Sequence, residues 1–439
     1  MSSAIPKWIL HGCAHSLSCI LLLVLHAFIM SLFYIPRDHA YPVRIQIPAI
    51  ASVVTEENTT QFNVLDFGAV GDGITDDSQA FLSAWNATCG TTTGLSTFIV
   101  PSDKIFLLKP LTFKGPCNSS YVDVQIAGTL IPPDTPSTWK GIDASLWLQF
   151  ASVDGLTLSG SGRLNGRGYN WWQQSCRINH TEGCTKLAPT AIRFVRCTDV
   201  VVSNLNLADS PQTHVLIHGS RRVTVTNLKI TAPAHSPNTD GIHIQSSQHV
   251  AIQNTIIGTG DDCISVGDNT YNIVIQGIAC GPGHGISVGS LGRGGSNVSV
   301  EEIHVSFAKL FNTTNGVRIK TWQGGTGYAK SISFDRINFN NVQNPIIIDQ
   351  YYCDVRHRCA NQTNAVQISN VTYSYLSGTS KTDVAISLNC SQSVACTGMH
   401  FKNVNITAAS SGRDVQSFCI NAHGDSKGDV HPDMACLSM

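Results

Sequence analysis

With 439 residues, 13 % charged side chains and a net charge of −1, the chain has no basic surplus of the kind that binds nucleic acid. Any anionic partner must be met by local cations. Length would admit two or three average domains, yet single all-β domains and solenoids also run this long.

At the N-terminus, Lys7 precedes an apolar run from Cys19 to Tyr34, interrupted by His26 and followed by Pro36 and Arg37. Residues 1–40 are therefore expected to be a secretory signal cut after Ala40; left uncleaved, they would be a signal-anchor and the chain's route to a membrane. Residues 41–61, with Pro, Ser and Thr and no periodicity, read as a linker or propeptide, and residues 62–439 as one domain. A strand from Phe62 ends in a glycine-rich turn. Thr75 to Trp85 then reads as a helix with Thr75 as N-cap and Asp76 and Asp77 in its first turn. One amphipathic helix ahead of a long β-region is what a solenoid needs as an end cap.

From about Val122 short apolar–polar alternations recur. Runs open at Val200, Val223, Val250 and Ile273, at steps of 23, 27 and 23 residues, and then at Val298, Ile332, Val366 and Met399, at steps of 25, 34, 34 and 33. Each run bends after a few residues, commonly at Asn or Gly. Strands at this period with no helical period between them predict stacked coils, an all-β, single-domain right-handed parallel β-helix. A propeller would need four antiparallel strands per repeat and a leucine-rich solenoid its leucine ladder, and neither pattern occurs. One face of each strand should fill the interior while the other meets solvent or a groove. Asn204, Asn227 and Asn254, at one turn of successive coils, are expected to stack as an amide ladder.

Of 15 cysteines, Cys13 and Cys19 fall in the leader. Spacing suggests the pairs 89/117, 176/184, 263/280, 353/359, 390/396 and 419/436, which leaves Cys197 as a buried thiol. The ten N-x-S/T sequons, at Asn58, Asn86, Asn118, Asn179, Asn297, Asn312, Asn361, Asn370, Asn389 and Asn405, agree with export.

The chemistry concentrates in the central repeats. Asp240, Asp262 and His284 lie 22 residues apart in turn and each opens a strand-like run. Stacking at about 4.7–4.9 Å per coil puts them in one column, with Asp261 beside Asp262. A lone aspartate at a strand start caps a turn. Three converging carboxylates repel one another, so at least one must hold a proton, and a scaffold gains nothing from that without metal or catalysis. An acid paired with an ionised carboxylate is the equipment of glycoside hydrolysis. His284 would hold or tune a carboxyl proton. Arg318 and Lys320, on one face with Ile319 turned inward, suit a substrate carboxylate, and Asn238 is placed to hydrogen-bond beside Asp240. Asp240 shares the strand parity of Ile242 and Ile244, so the preceding turn must break the alternation. No paired C-x-x-C or other ligand set is evident, and neither metal nor cofactor is expected.

Asn238-Thr-Asp240, Gly260-Asp261-Asp262-Cys263, Gly283-His284-Gly285 and Arg318-Ile-Lys320 resemble the four signature motifs of the polygalacturonases, pectin-cleaving glycoside hydrolases. The opening Asn63-Val-Leu-Asp-Phe-Gly-Ala-Val-Gly-Asp-Gly is similar to the plant branch, and the likeness runs from about residue 62 to the end. The resemblance implies a right-handed parallel β-helix, an α-1,4-galacturonan (pectin, homogalacturonan) substrate and inverting hydrolysis without metal. It implies Asp261 as general acid, Asp240 and Asp262 as activators of water and His284 as support for the acid. Asn238, Arg318, Lys320 and a downstream tyrosine, Tyr352 with Tyr351 as its neighbour, would bind sugar and carboxylate. A secreted, cell-wall glycoprotein, monomeric and without nucleic-acid partners, is the expectation. Rhamnogalacturonan or xylogalacturonan hydrolysis, a catalytically silent pectin-binding protein and a calcium-dependent pectate lyase are the alternatives.

Overall fold

The computed structural model describes residues 59–92, 94–179, 184–354 and 359–437. The leader and most of the 41–61 segment lie outside the described residues. The segment's last three residues belong to the fold, because Thr59–Asn63 is a strand paired in parallel with Leu95–Ile99. Among the described residues, no helix is long and apolar enough to cross a membrane.

The strands form two sheets, one of 11 strands and one of 23. In the smaller sheet the neighbours follow one another in chain order, one strand per coil, and they pair in parallel. Each central coil adds two more strands to the larger sheet: Ile242–Gln245 of the smaller sheet is followed by Gln248–Gln253 and Ile256–Gly258. Consecutive parallel strands without crossover helices wind as the predicted right-handed parallel β-helix.

Register turns the apolar residues of each strand into interior columns. One runs Val215, Ile242, Ile264, Ile286, Val317 and Ile346, and the next runs Ile217, Ile244, Val266, Val288, Ile319 and Ile348. All are buried. Each such side chain is worth roughly 1.5–3 kcal/mol when removed from water, so these columns hold the coils in register. Phe113, Phe150 and Phe194 stack at one end, and Phe334, Tyr373 and Phe401 at the other.

The corner that follows the second strand of each coil adopts a left-handed backbone. Asn204, Asn227, Asn254, Gly277, Phe307, Arg336, Tyr375 and Asn403 all have positive φ, between 49° and 69°. Asn and Gly suit this region because the steric cost is low, which explains the asparagines more fully than amide stacking does. Asn227 Nδ2 does donate a hydrogen bond to Asn204 Oδ1, at 3.3 Å. In later coils the same corner is covered by Arg336, 5.2 Å from the Phe307 ring and 5.3 Å from that of Tyr375.

The N-terminal helix spans Ser78–Gly90, which corrects the predicted start. Thr75 and Asp76 belong to the strand Asp72–Asp76, and Asp77 occupies the N-cap position. The acidic pair is structural in another way. Asp77 is buried and accepts from the backbone N–H groups of Val70 and Gly71, while Asp76 meets Ser78 and Lys109. The helix packs Phe81 and Trp85 against Phe98, Phe106, Phe113 and Phe150. A short second helix, Tyr169–Gln174, was not anticipated. All six predicted disulfides are present, and Cys197 is free and buried.

Candidate active site

Three strands of the smaller sheet, Ile242–Gln245, Ile264–Val266 and Ile286–Leu291, are entered two residues after Asp240, Asp262 and His284. Their pairing places Ile242, Ile264 and Ile286 side by side, so the three ionisable residues occupy one position in successive coils. The parity difficulty at Asp240 is resolved by the backbone just before the strand. Gly241 and Ile242 are both buried, and a Cβ on Gly241 would stand 2.5 Å from the Cys263 carbonyl oxygen and from Ile257 Cγ2. Two successive residues thus face inward, which turns Asp240 to the outside.

The side chains converge on a cleft of about 550 Å³ lined by Asn238, Asp240, Asp261, Asp262, His284, Arg318, Lys320 and Tyr352. Asp262 is the most enclosed. Its Oδ1 accepts from Ser287 Oγ at 2.9 Å and from an Arg318 terminal nitrogen at 2.7 Å; its Oδ2 accepts from Lys320 Nζ at 2.8 Å. Burial alone would raise its pKa, but Lys320 and Arg318 outweigh it and hold the carboxylate down to about 2. Asp240 receives one neutral donor, Ser265 Oγ at 2.8 Å. Burial, with Asp261 and Asp262 beside it, pushes its carboxyl well above the ordinary range. Asp261 faces the cleft, accepting from the Asp262 backbone N–H at 2.8 Å and from Asn238 Nδ2 at 3.4 Å, and it meets His284 Nδ1 at 3.1 Å. The bond to Asp261 raises the pKa of His284 despite its burial.

Every residue expected at the site is brought there. Arg318 and Lys320 do share a face with Ile319 inward, yet both are already bonded to Asp262 and are nearly covered. Of the two tyrosines, Tyr352 lines the cleft, its ring 5.2 Å from Lys320 Nζ, whereas the Tyr351 hydroxyl accepts from the Gln392 backbone N–H.

Asp261, Asp262 and His284 can each place one ligand atom within 4.8 Å of the others, the spacing of a metal site. Both Asp262 oxygens are taken by cationic side chains, so an added cation would have to displace two existing charges.

Five further residues at the site were not foreseen. Ser265 and Ser287 hold Asp240 and Asp262, and His243 Nδ1 lies 2.7 Å from Ser265 Oγ. The signal existed: these residues are register partners of Arg318 on the outward face. Arg177 and Asp354 form an ion pair at the cleft, and Arg177 Nε also donates to Asn238 Oδ1. They sit beside Cys176 and Cys353, each half of a short disulfide, and no sequence pattern joins the two segments.

Comparison with known proteins agrees with this arrangement. The family model "Glycosyl hydrolases family 28" matches residues 89–428. A probable polygalacturonase of Arabidopsis thaliana is 43 % identical over 95 % of this chain and 93 % of its own. A polygalacturonase of Persea americana is 46 % identical over 82 % and 77 %. Among solved structures, an exopolygalacturonase of Thermotoga maritima superposes with a TM-score of 0.71 at 20 % identity, covering 84 % of this chain and 90 % of that one, a likeness of fold. Motifs, coil geometry and a match over most of the length coincide, and the chain belongs to family 28 of the glycosyl hydrolases.

Proposed function

We propose that this glycoside hydrolase cleaves α-1,4-galacturonosyl bonds of pectin and polygalacturonate with inversion. The observation that carries the chemistry is the unequal setting of two aspartates at one position of successive coils: Asp262 accepts from Ser287, Arg318 and Lys320, whereas Asp240 accepts from Ser265 alone among the described residues. Carboxyl groups in unequal settings around one cleft are the equipment of acid–base hydrolysis. The polygalacturonase relatives support the substrate. Asp261, at the cleft and bonded to His284, protonates the leaving oxygen. Asp240 and Asp262 activate the water. Asn238, Arg318, Lys320 and Tyr352 bind the sugar and its carboxylate, the two cations from the floor formed with Asp262. Six disulfides fit an oxidising compartment, and we place the protein outside the cell, in the wall, as a glycosylated monomer.

A second reading exchanges Asp240 for Asp261 as proton donor, and the raised pKa of Asp240 favours it. The two separate on α-galacturonosyl fluoride, whose leaving group needs no proton: the donor's variant keeps turning it over.

Activity is tested by incubating the protein with polygalacturonate, with and without a chelator, while reducing ends and ultraviolet absorbance are followed together. New ends without absorbance are expected. Absorbance from an unsaturated product, abolished by the chelator, would install the lyase instead. Ends released only from xylogalacturonan or rhamnogalacturonan would change the substrate, and none from any pectin would leave a binding protein.

A further inference from the structure

Asp240 and Asp262 are held by the same device. Asp240 accepts a hydrogen bond from Ser265, which belongs to the next coil, and Asp262 accepts one from Ser287 of the coil after that. His243, Ser265, Ser287 and Arg318 are consecutive register partners, so one outward ladder runs beside the carboxylate column. The two arms differ in the group behind the serine. Ser287 Oγ accepts from Arg318 Nε at 3.0 Å, and the same guanidinium reaches on to Asp262. Ser265 Oγ meets His243 Nδ1 at 2.7 Å.

A hydroxyl carries one proton. When Ser265 donates it to Asp240, the lone pairs of Ser265 face His243, and Nδ1 must carry the imidazole's proton. Burial keeps this ring neutral, with its pKa lowered to about 4. One arm therefore ends on a fixed cation and the other on a neutral donor.

We propose that Ser265 and His243 are positioning residues for the reaction: His243 points the Ser265 hydroxyl at Asp240, and this bond sets the pH at which Asp240 ionises. The Ser287–Arg318 arm does the same for Asp262 with a charge added. The other groups facing Asp240 are Asp261, Asp262 and Lys320. Those facing His243 are Gln245, Asp262, Lys320 and His218. None of them replaces the Ser265 donor, since the hydroxyl alone is bonded to Asp240 Oδ2 among the described residues.

The inference rests on the proposed role of Asp240 in activating water, and its test separates the two. The pH dependence of kcat/KM and of kcat on polygalacturonate is measured for wild type, Ser265→Ala, His243→Ala and His243→Asn. Removing a hydrogen bond that favours the charged carboxylate raises the pKa of Asp240. In Ser265→Ala the acidic limb should therefore move up by about one pH unit, which lowers kcat about tenfold at pH values below the wild-type limb, with KM little changed. His243→Ala should move the limb in the same direction. His243→Asn should restore it, because the asparagine amide can place an N–H where Nδ1–H stood. In parallel, infrared titration of the protonated-carboxyl stretch, assigned by its loss in Asp240→Asn, reads Asp240 without any substrate. A stretch that titrates at the same pH in Ser265→Ala as in wild type, or His243→Asn behaving as His243→Ala does, overturns the inference. A stretch that shifts as expected while Asp240→Asn retains full activity supports it and removes the catalytic role of Asp240 instead.

Discussion

Asp240 and Asp262 show how far two residues at one position of a repeat can diverge. Each stands two residues before an inward-facing isoleucine, yet Asp262 meets two cations and Asp240 none directly. The consequence for stability is specific to Asp262. Its carboxylate titrates at about 2 in the fold and near 3.8 when unfolded, so its contribution is complete above about pH 3.8 and is lost as the pH falls towards 2. Asp262→Asn should abolish that segment of the urea-stability profile. It should also cost about 3–5 kcal/mol at neutral pH, because Arg318 and Lys320 stay buried without a counter-charge. An unchanged profile would mean that the cations have other partners. Asp261 is different, since it faces the cleft and its neighbours are hydrogen-bond donors. Asp261→Asn should lower kcat on polygalacturonate by about 10²–10⁴-fold with KM preserved, and turnover of the fluoride should survive. Loss of both activities would reassign Asp261 to the water.

At the scale of the strand and its corner, alternation and spacing predicted the coils but not the conformation that joins them. Asparagines at 204, 227 and 254 read as a ladder, while the shared requirement is a left-handed corner that Phe307, Arg336 and Tyr375 also meet. Those three are poorly suited to positive φ, and the ring–guanidinium stack they build compensates. Arg336→Ala is expected to remove roughly 0.5–1 kcal/mol per ring contact, seen as a lower denaturation midpoint with activity retained. No change would show that the stack contributes nothing. The helix start was misread for a related reason. Thr75 offers a good capping side chain, but Asp77 is drawn inward by the Val70 and Gly71 N–H groups, a tertiary demand that outweighs local propensity.

Across the whole molecule, most of the fold and the heart of the site were legible because a coil converts sequence period into spatial adjacency. Asp240, Asp262 and His284 meet because their 22-residue steps equal one turn. Contacts that depend on loop paths escaped: Arg177 and Asp354 are 177 residues apart and share no repeat position. The stacked core also contains one group that alternation alone would not flag. Tyr373 lies between Phe334 and Phe401 with its hydroxyl buried and without a hydrogen-bond partner among the described residues. Tyr373→Phe should therefore stabilise the protein, by about 1–3 kcal/mol, with the thermal midpoint as readout; a lower midpoint would show that the hydroxyl has a partner. In the proposed mechanism the cleft carboxylates deliver water to one face of the sugar while a proton enters from the other. The most direct measurement is proton NMR of the anomer first released from polygalacturonate, recorded before mutarotation. Inversion of an α-linkage predicts the β-anomer. Nascent α-anomer would contradict the account, because it requires a covalent intermediate and a nucleophile in place of the activated water.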